Sequence, residues 1–160
     1  MKFLAAALLS VLVAPTTVLA ASPGWEFARW GMTPAEVRAA SHGSVRAGES
    51  SGYDTLDGEY PMGRFKFAVV FNYEPHPDDP GNSSESNLRL GGVGMKLDLK
   101  SGACAQLGAY LTRRLGHPDH ATTEGPPAYK WRKQDLGDEI DYTSWPDGSC
   151  GIQYSPIGSS

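Results

Sequence analysis

The stretch Arg64-Phe65-Lys66-Phe67-Ala68-Val69-Val70-Phe71-Asn72-Tyr73 decides the fold. Phe65, Phe67, Val69, Phe71 and Tyr73 fall on one parity, and Arg64, Lys66, Ala68, Val70 and Asn72 on the other. A period of two with bulky apolar groups on one side is the pattern of a strand whose one face is core. The chain therefore has a sheet with one buried face.

Working outward, Tyr53 to Leu56 reads as a strand, and Asp57-Gly58 after it as a tight-turn signal. Glu74 to Asn87 carries turn formers and no apolar period, so it reads as a surface loop. Alternation resumes from Leu88 to Leu99 through Val93, Met95, Leu97 and Leu99, and glycines at 91, 92 and 94 point to a bulge or a close backbone approach. From about Ser101 to Leu115 the period changes: Cys104, Leu107, Leu111 and Leu115 recur at three and four residues, and Gly116 and Pro118 end the helix. A meander follows, with Tyr129 to Lys133, Glu139 to Trp145 and Ser149 to Tyr154 as strands, separated by turns at Asp135 to Asp138 and Pro146-Asp147-Gly148.

Upstream, Gly31-Met32-Thr33-Pro34-Ala35-Glu36-Val37 starts a second helix in the manner of a capping box. The Thr33 hydroxyl can accept the Glu36 amide, the Glu36 carboxylate can accept the Thr33 amide, and Pro34 sits where its missing N–H is harmless. Met32 and Val37 occupy the two positions of a hydrophobic staple, and Gly43 provides the left-handed stop. These local roles account for Thr33 and Glu36 without catalysis. The whole reads as α+β, two helices on one face of an antiparallel sheet, and the order allows a degenerate repeat of a helix followed by about three strands.

Residues 1 to 20 have the three-part layout of a secretory signal peptide, with an apolar run from Phe3 to Val13 and the ending Val18-Leu19-Ala20. Cleavage is expected between Ala20 and Ala21, leaving one α+β domain over 21–160. The apolar run is shorter than the roughly 20 residues of a membrane span. With no cysteine at the junction to carry a lipid, no anchor is expected, and the location is periplasmic or secreted. Without Lys2 the basic-to-acidic count changes from 14 against 18 to 13 against 18, which argues against a nucleic-acid partner. The two cysteines, Cys104 and Cys150, are expected to form a disulfide in an oxidising compartment, since neither has the spacing of a metal or redox motif. Cys150 shares parity with Ile152 and Tyr154, and Cys104 lies on the helix stripe, so both thiols should enter one core.

The run G-M-T-P-A-E-V-R-A-A, with the later L-G-H-P, resembles the helix signature of small exported α+β proteins: the secreted β-lactamase inhibitor proteins, and the small lipoprotein subunit of the outer-membrane barrel-assembly machine. The resemblance implies a noncatalytic module that binds another envelope or extracellular protein. The lipid-bearing cysteine of the latter and the cysteine spacing of the former are absent, and no functional residue carries over.

A Gly-rich phosphate loop and a Ser-x-x-Lys pattern do not occur. No catalytic residue, cofactor or metal ligand is assigned. The alternative to a binding module is a small hydrolase or metal-dependent enzyme using His117, Asp119 and His120, although Pro118 breaks the helical spacing that would bring ligands together. Trp145 shares parity with Glu139, Asp141 and Thr143, opposite Ile140 and Tyr142, and an outward Trp among acids is the residue expected to contact a partner.

Overall fold

The computed structural model describes residues 24–48, 56–97, 103–122 and 124–158. The expected leader with Ala20 and Ala21, most of the strand expected from Tyr53, Leu99 and the expected helix start at Ser101 lie outside the described residues.

Among the described residues, ten strands and two α-helices follow one another as β1 (Gly24–Trp25), β2 (Ala28–Arg29), α1 (Pro34–Ala40), β3 (Val45–Ala47), β4 (Leu56–Met62), β5 (Phe65–Pro75), β6 (Leu88–Leu97), α2 (Ala103–Leu115), β7 (His120–Thr122), β8 (Ala128–Lys133), β9 (Asp138–Ser144) and β10 (Cys150–Pro156). The protein is α+β. Strands β1 and β2 form a small hairpin, and the other eight form one antiparallel sheet in the order β3-β4-β5-β6-β10-β9-β8-β7. Each helix is thus followed by four strands, one more than the sequence indicated. The edge strands β3 and β7 are only three residues long and carry too few apolar residues to stand out from their loops.

Strand β5 has the expected alternation: Phe65, Phe67, Val69, Phe71 and Tyr73 are all buried. Asp57-Gly58 is not a turn. Both residues lie inside β4, where Asp57 is opposite Arg46 and Val70, and Gly58 opposite Val45 and Val69. A two-residue turn preference is local, whereas Leu56 to Gly58 pair on both sides and β5 pairs along all of β4. The chain turns instead at Gly63-Arg64, where Gly63 has φ 59° and Met62 pairs with Phe65. The β5–β6 register slips between Asn72 and Tyr73 of β5, leaving Gly91 as the extra residue of a bulge in β6. The Glu74 to Asn87 region supplies the end of β5 and a 3₁₀ turn at Glu85–Asn87. Between them the loop is tied by Asn87, whose side-chain amide donates to the carbonyls of Asp79 and Asn82 at 2.8 and 2.6 Å.

At α1 the capping box forms as read. The Glu36 amide donates to Thr33 Oγ1 at 3.3 Å, and Glu36 Oε2 accepts from the Thr33 amide at 2.7 Å. Left-handed backbone begins one residue before the glycine, at His42 (φ 51°), and continues at Gly43 (φ 85°). Paired backbone bonds between Gly31-Met32 and Leu90 fix the helix entrance to β6, and an Arg38–Glu85 ion pair joins α1 to the 3₁₀ turn.

Helix α2 buries Cys104, Leu107, Gly108 and Leu111. The Cys104–Cys150 disulfide ties it to β10, and Tyr142 Oη donates to the Cys104 carbonyl at 2.8 Å. Gly108 accommodates two rings: a Cβ there would stand 3.3 Å from Tyr129 and 3.5 Å from Tyr142. The helix C-terminus, where carbonyls lack internal partners, is met from β8 by Trp131 Nε1 on Gly116 O (2.9 Å) and Lys133 Nζ on Leu115 O (2.5 Å). No helix among the described residues is long and apolar enough to cross a membrane.

Candidate functional site

The register across the middle of the sheet builds the site. One transverse row runs Ala68, Lys96, Gly151, Thr143 through β5, β6, β10 and β9; the next runs Val70, Gly94, Gln153, Asp141. All eight belong to the parity opposite the buried Phe67, Val69, Met95, Ile152 and Tyr142, so they form the face away from the core. Each row has glycine at one of its two inner positions, Gly151 in β10 and Gly94 in β6. The space a side chain would take there is met by neighbours, the Trp145 indole at Gly151 and the Gln153 carboxamide at Gly94.

The result is a mostly apolar groove of about 630 Å³ across β5, β6, β10 and β9. Trp145, just beyond β9, enters it: a Cβ at Gly151 would stand 3.2 Å from the indole Cη2. The β9–β10 turn holds Trp145 in place through its amide bond to Ser149 O at 2.7 Å and the Gly148 amide bond back to Trp145 O at 3.0 Å. The indole is nevertheless 45% exposed, and Trp145 and Leu136 are the exposed large hydrophobic residues among those described. Gln153 lies beside it, its Oε1 3.2 Å from where a Gly94 Cβ would be.

Charged groups rim the groove at Lys96, Asp141 and Asp147. The Ser149 side chain and amide donate to Asp147 and hold its carboxyl below the ordinary carboxylate range. Asp141 lies 3.3 Å from Lys130 Nζ. Lys130 belongs mainly to Glu139, a nearly buried carboxylate that also accepts from Arg132 Nε at 2.8 Å. The hydrogen bonds from Lys130 and Arg132 hold Glu139 below its usual range and, reciprocally, raise Lys130.

His117, Asp119 and His120 are used separately. Asp119 Oδ2 accepts from the Arg132 amide at 2.6 Å and its own amide donates to Lys130 O at 2.8 Å, which fastens the start of β7 to β8. His117 Nδ1 lies 3.2 Å from the neighbouring Pro118 carbonyl, and His120 opens β7 opposite Lys130. Among the described residues no three His, Cys, Asp or Glu side chains gather as a metal site. Thr33 and Glu36 satisfy each other, as described above.

Sequence parity places Trp145 with Asp141 and Thr143, and the structure has these three on one groove wall. Lys96, Gln153 and the two glycines come from different strands, so no local pattern in the sequence groups them. Comparison with protein-family models, curated proteins and solved structures finds no match to this chain.

Proposed function

We propose that this chain is a noncatalytic exported module that binds another envelope or extracellular protein through the sheet face carrying Trp145. The observation that carries the reading is the exposed indole seated over Gly151 in a mostly apolar groove, on the side of the sheet away from the packed core. Large aromatic residues in concave surfaces are the usual energetic anchors of protein interfaces. The helices cover the opposite face in this reading. Cys104, Tyr110 and Gly108 of α2 lie against Cys150, Phe65 and Tyr142, and the segment before α1 is bonded to β6.

The same proposal includes a degenerate repeat of one helix and four strands. Its support is the sheet order, in which β6 and β10, the last strand of each half, meet at the centre and run antiparallel. Export through the leader at residues 1–20 accords with the disulfide.

Affinity capture from envelope extract tests the binding role, using the wild-type protein, Trp145→Ala and, as a matched control, Leu136→Ala. A partner retained by the wild type and the Leu136 variant and lost with Trp145→Ala is the expected result. Equal capture by all three would remove the groove from the binding surface.

A further inference from the structure

Resting on that reading of the outer face, we infer that the Cys104–Cys150 disulfide is a redox switch for the Trp145 surface: the dithiol chain lacks a fixed seat for the indole, and oxidation completes the site. The bond and the indole belong to one short piece of chain. Trp145 follows Ser144, the last residue of β9, and Cys150 opens β10 directly opposite Ser144. The next residue, Gly151, lies under the ring. The seat is therefore one peptide unit from the sulfur and on the other side of the sheet, since Cys150 is buried in the core and Gly151 belongs to the groove.

The ladder does not hold this point by itself. Pairing of β10 with β6 begins only at Gly151, opposite Lys96, so Cys150 is paired with β9 alone. From the core side the turn meets Cys104 of α2, whose sulfur is bonded to Cys150 and lies 3.3 Å from Gly148 O, and whose carbonyl accepts from Tyr142 Oη at 2.8 Å. The hydrogen bonds inside the turn fix its shape; the disulfide fixes its position against α2. A covalent tie allows far less displacement than two small thiols in contact.

The oxidation is thiol–disulfide exchange. One cysteine thiolate attacks the disulfide of an oxidase of the dithiol–disulfide class, and the second displaces the mixed disulfide. The pair gives up two protons and two electrons, the Cys104–Cys150 bond forms, and the oxidase leaves as its dithiol. In the finished fold Cys150 and Cys104 are both buried, so the bond is shielded from small thiols and the switch is thrown once, in the oxidising compartment.

Fluorine NMR of fluorotryptophan-labelled protein reads the seat without a partner, and Trp145→Phe assigns its signal among those of Trp25, Trp30 and Trp131. In protein kept reduced, and in Cys104→Ala/Cys150→Ala, the Trp145 signal should shift and broaden more under a soluble nitroxide. Trp25 and Trp30, in the first half of the chain, should keep their positions. Affinity capture from envelope extract should be lost in both forms, and reoxidation of the reduced protein should restore it. A Trp145 signal, or a capture, that is the same in disulfide and thiol forms would overturn the inference. Collapse of all the tryptophan signals to unfolded positions would also overturn it, because the bond would then hold the whole fold and not the seat. In both cases capture by the oxidised protein still needs Trp145. Capture by the oxidised protein that survives Trp145→Ala is the distinct result that overturns the binding reading, and the inference with it.

Discussion

The ring of Trp145 lies over Gly151 across the β9–β10 hairpin, so close that a methyl group at position 151 would crowd the indole. A Cβ at position 151 would stand 2.9 Å from Met95 O and 3.2 Å from the indole. The Met95 oxygen is backbone in the central β6–β10 pairing and cannot move alone. Gly151→Ala should therefore destabilise the fold by about 1–3 kcal/mol, as overpacking does, and should displace the indole. Urea unfolding and the tryptophan emission spectrum read both effects; an unchanged stability would mean that the seam is looser than described.

The disulfide joins residues 46 apart in sequence and holds α2 to the central strand β10. Closing a loop of this length removes entropy from the unfolded chain, so the Cys104→Ala/Cys150→Ala protein should be less stable by about 2–4 kcal/mol. Chemical denaturation with and without reductant checks it. Reductant should weaken the wild type and leave the double variant unaffected.

At α1 the first turn depends on Thr33, whose hydroxyl accepts the Glu36 amide. Thr33→Ala should cost about 0.5–2 kcal/mol. Because the loss is confined to a cap, partner capture through Trp145 by the folded variant should be unchanged. A loss of binding at full folding would show that the cap is also part of the site.

Adjacent carboxylates of β9 should respond to acid in opposite ways. Glu139 is held below its ordinary value of 4.5 by Lys130 and Arg132, so the stability it contributes is present above that value and is lost as pH falls through its lower folded pKa. Asp138, on the other parity, is raised above 3.8 chiefly by burial, with Trp30 Nε1 at 2.7 Å opposing the rise. Its ionised form costs stability at neutral pH, and that cost disappears as pH falls through its raised pKa. Denaturation measured from about pH 7 to about pH 3 should show a flatter acid limb in Glu139→Gln and a steeper one in Asp138→Asn. The reverse order of slopes would refute the assignment.

The legible parts of this protein are those whose cause is contained in a few neighbouring residues. The capping box needs only Thr33, Pro34 and Glu36, and the buried face of β5 needs only the alternation from Phe65 to Tyr73. The α2 stripe and its stop at Gly116 are equally local, and the Gly91 bulge was signalled by its glycines. At Asp57-Gly58 the local turn chemistry is real but weaker than ladder pairing from β3 and β5. The three-residue edge strands carry too short a pattern to read.

The order of residue types therefore specified the two helices and the strands β5, β6, β8, β9 and β10, with their apolar faces, and the entry of both cysteines into one core. Local hydrogen bonding and side-chain periodicity act over a few residues and leave their mark in the order of residue types. Only the tertiary structure decided that β6 and β10 would pair at the centre, and so that Gly94 and Gly151 would share a floor with Trp145 above it. That pairing brings together residues 55 to 61 positions apart, and a register shift of one residue would have turned the same side chains into the core.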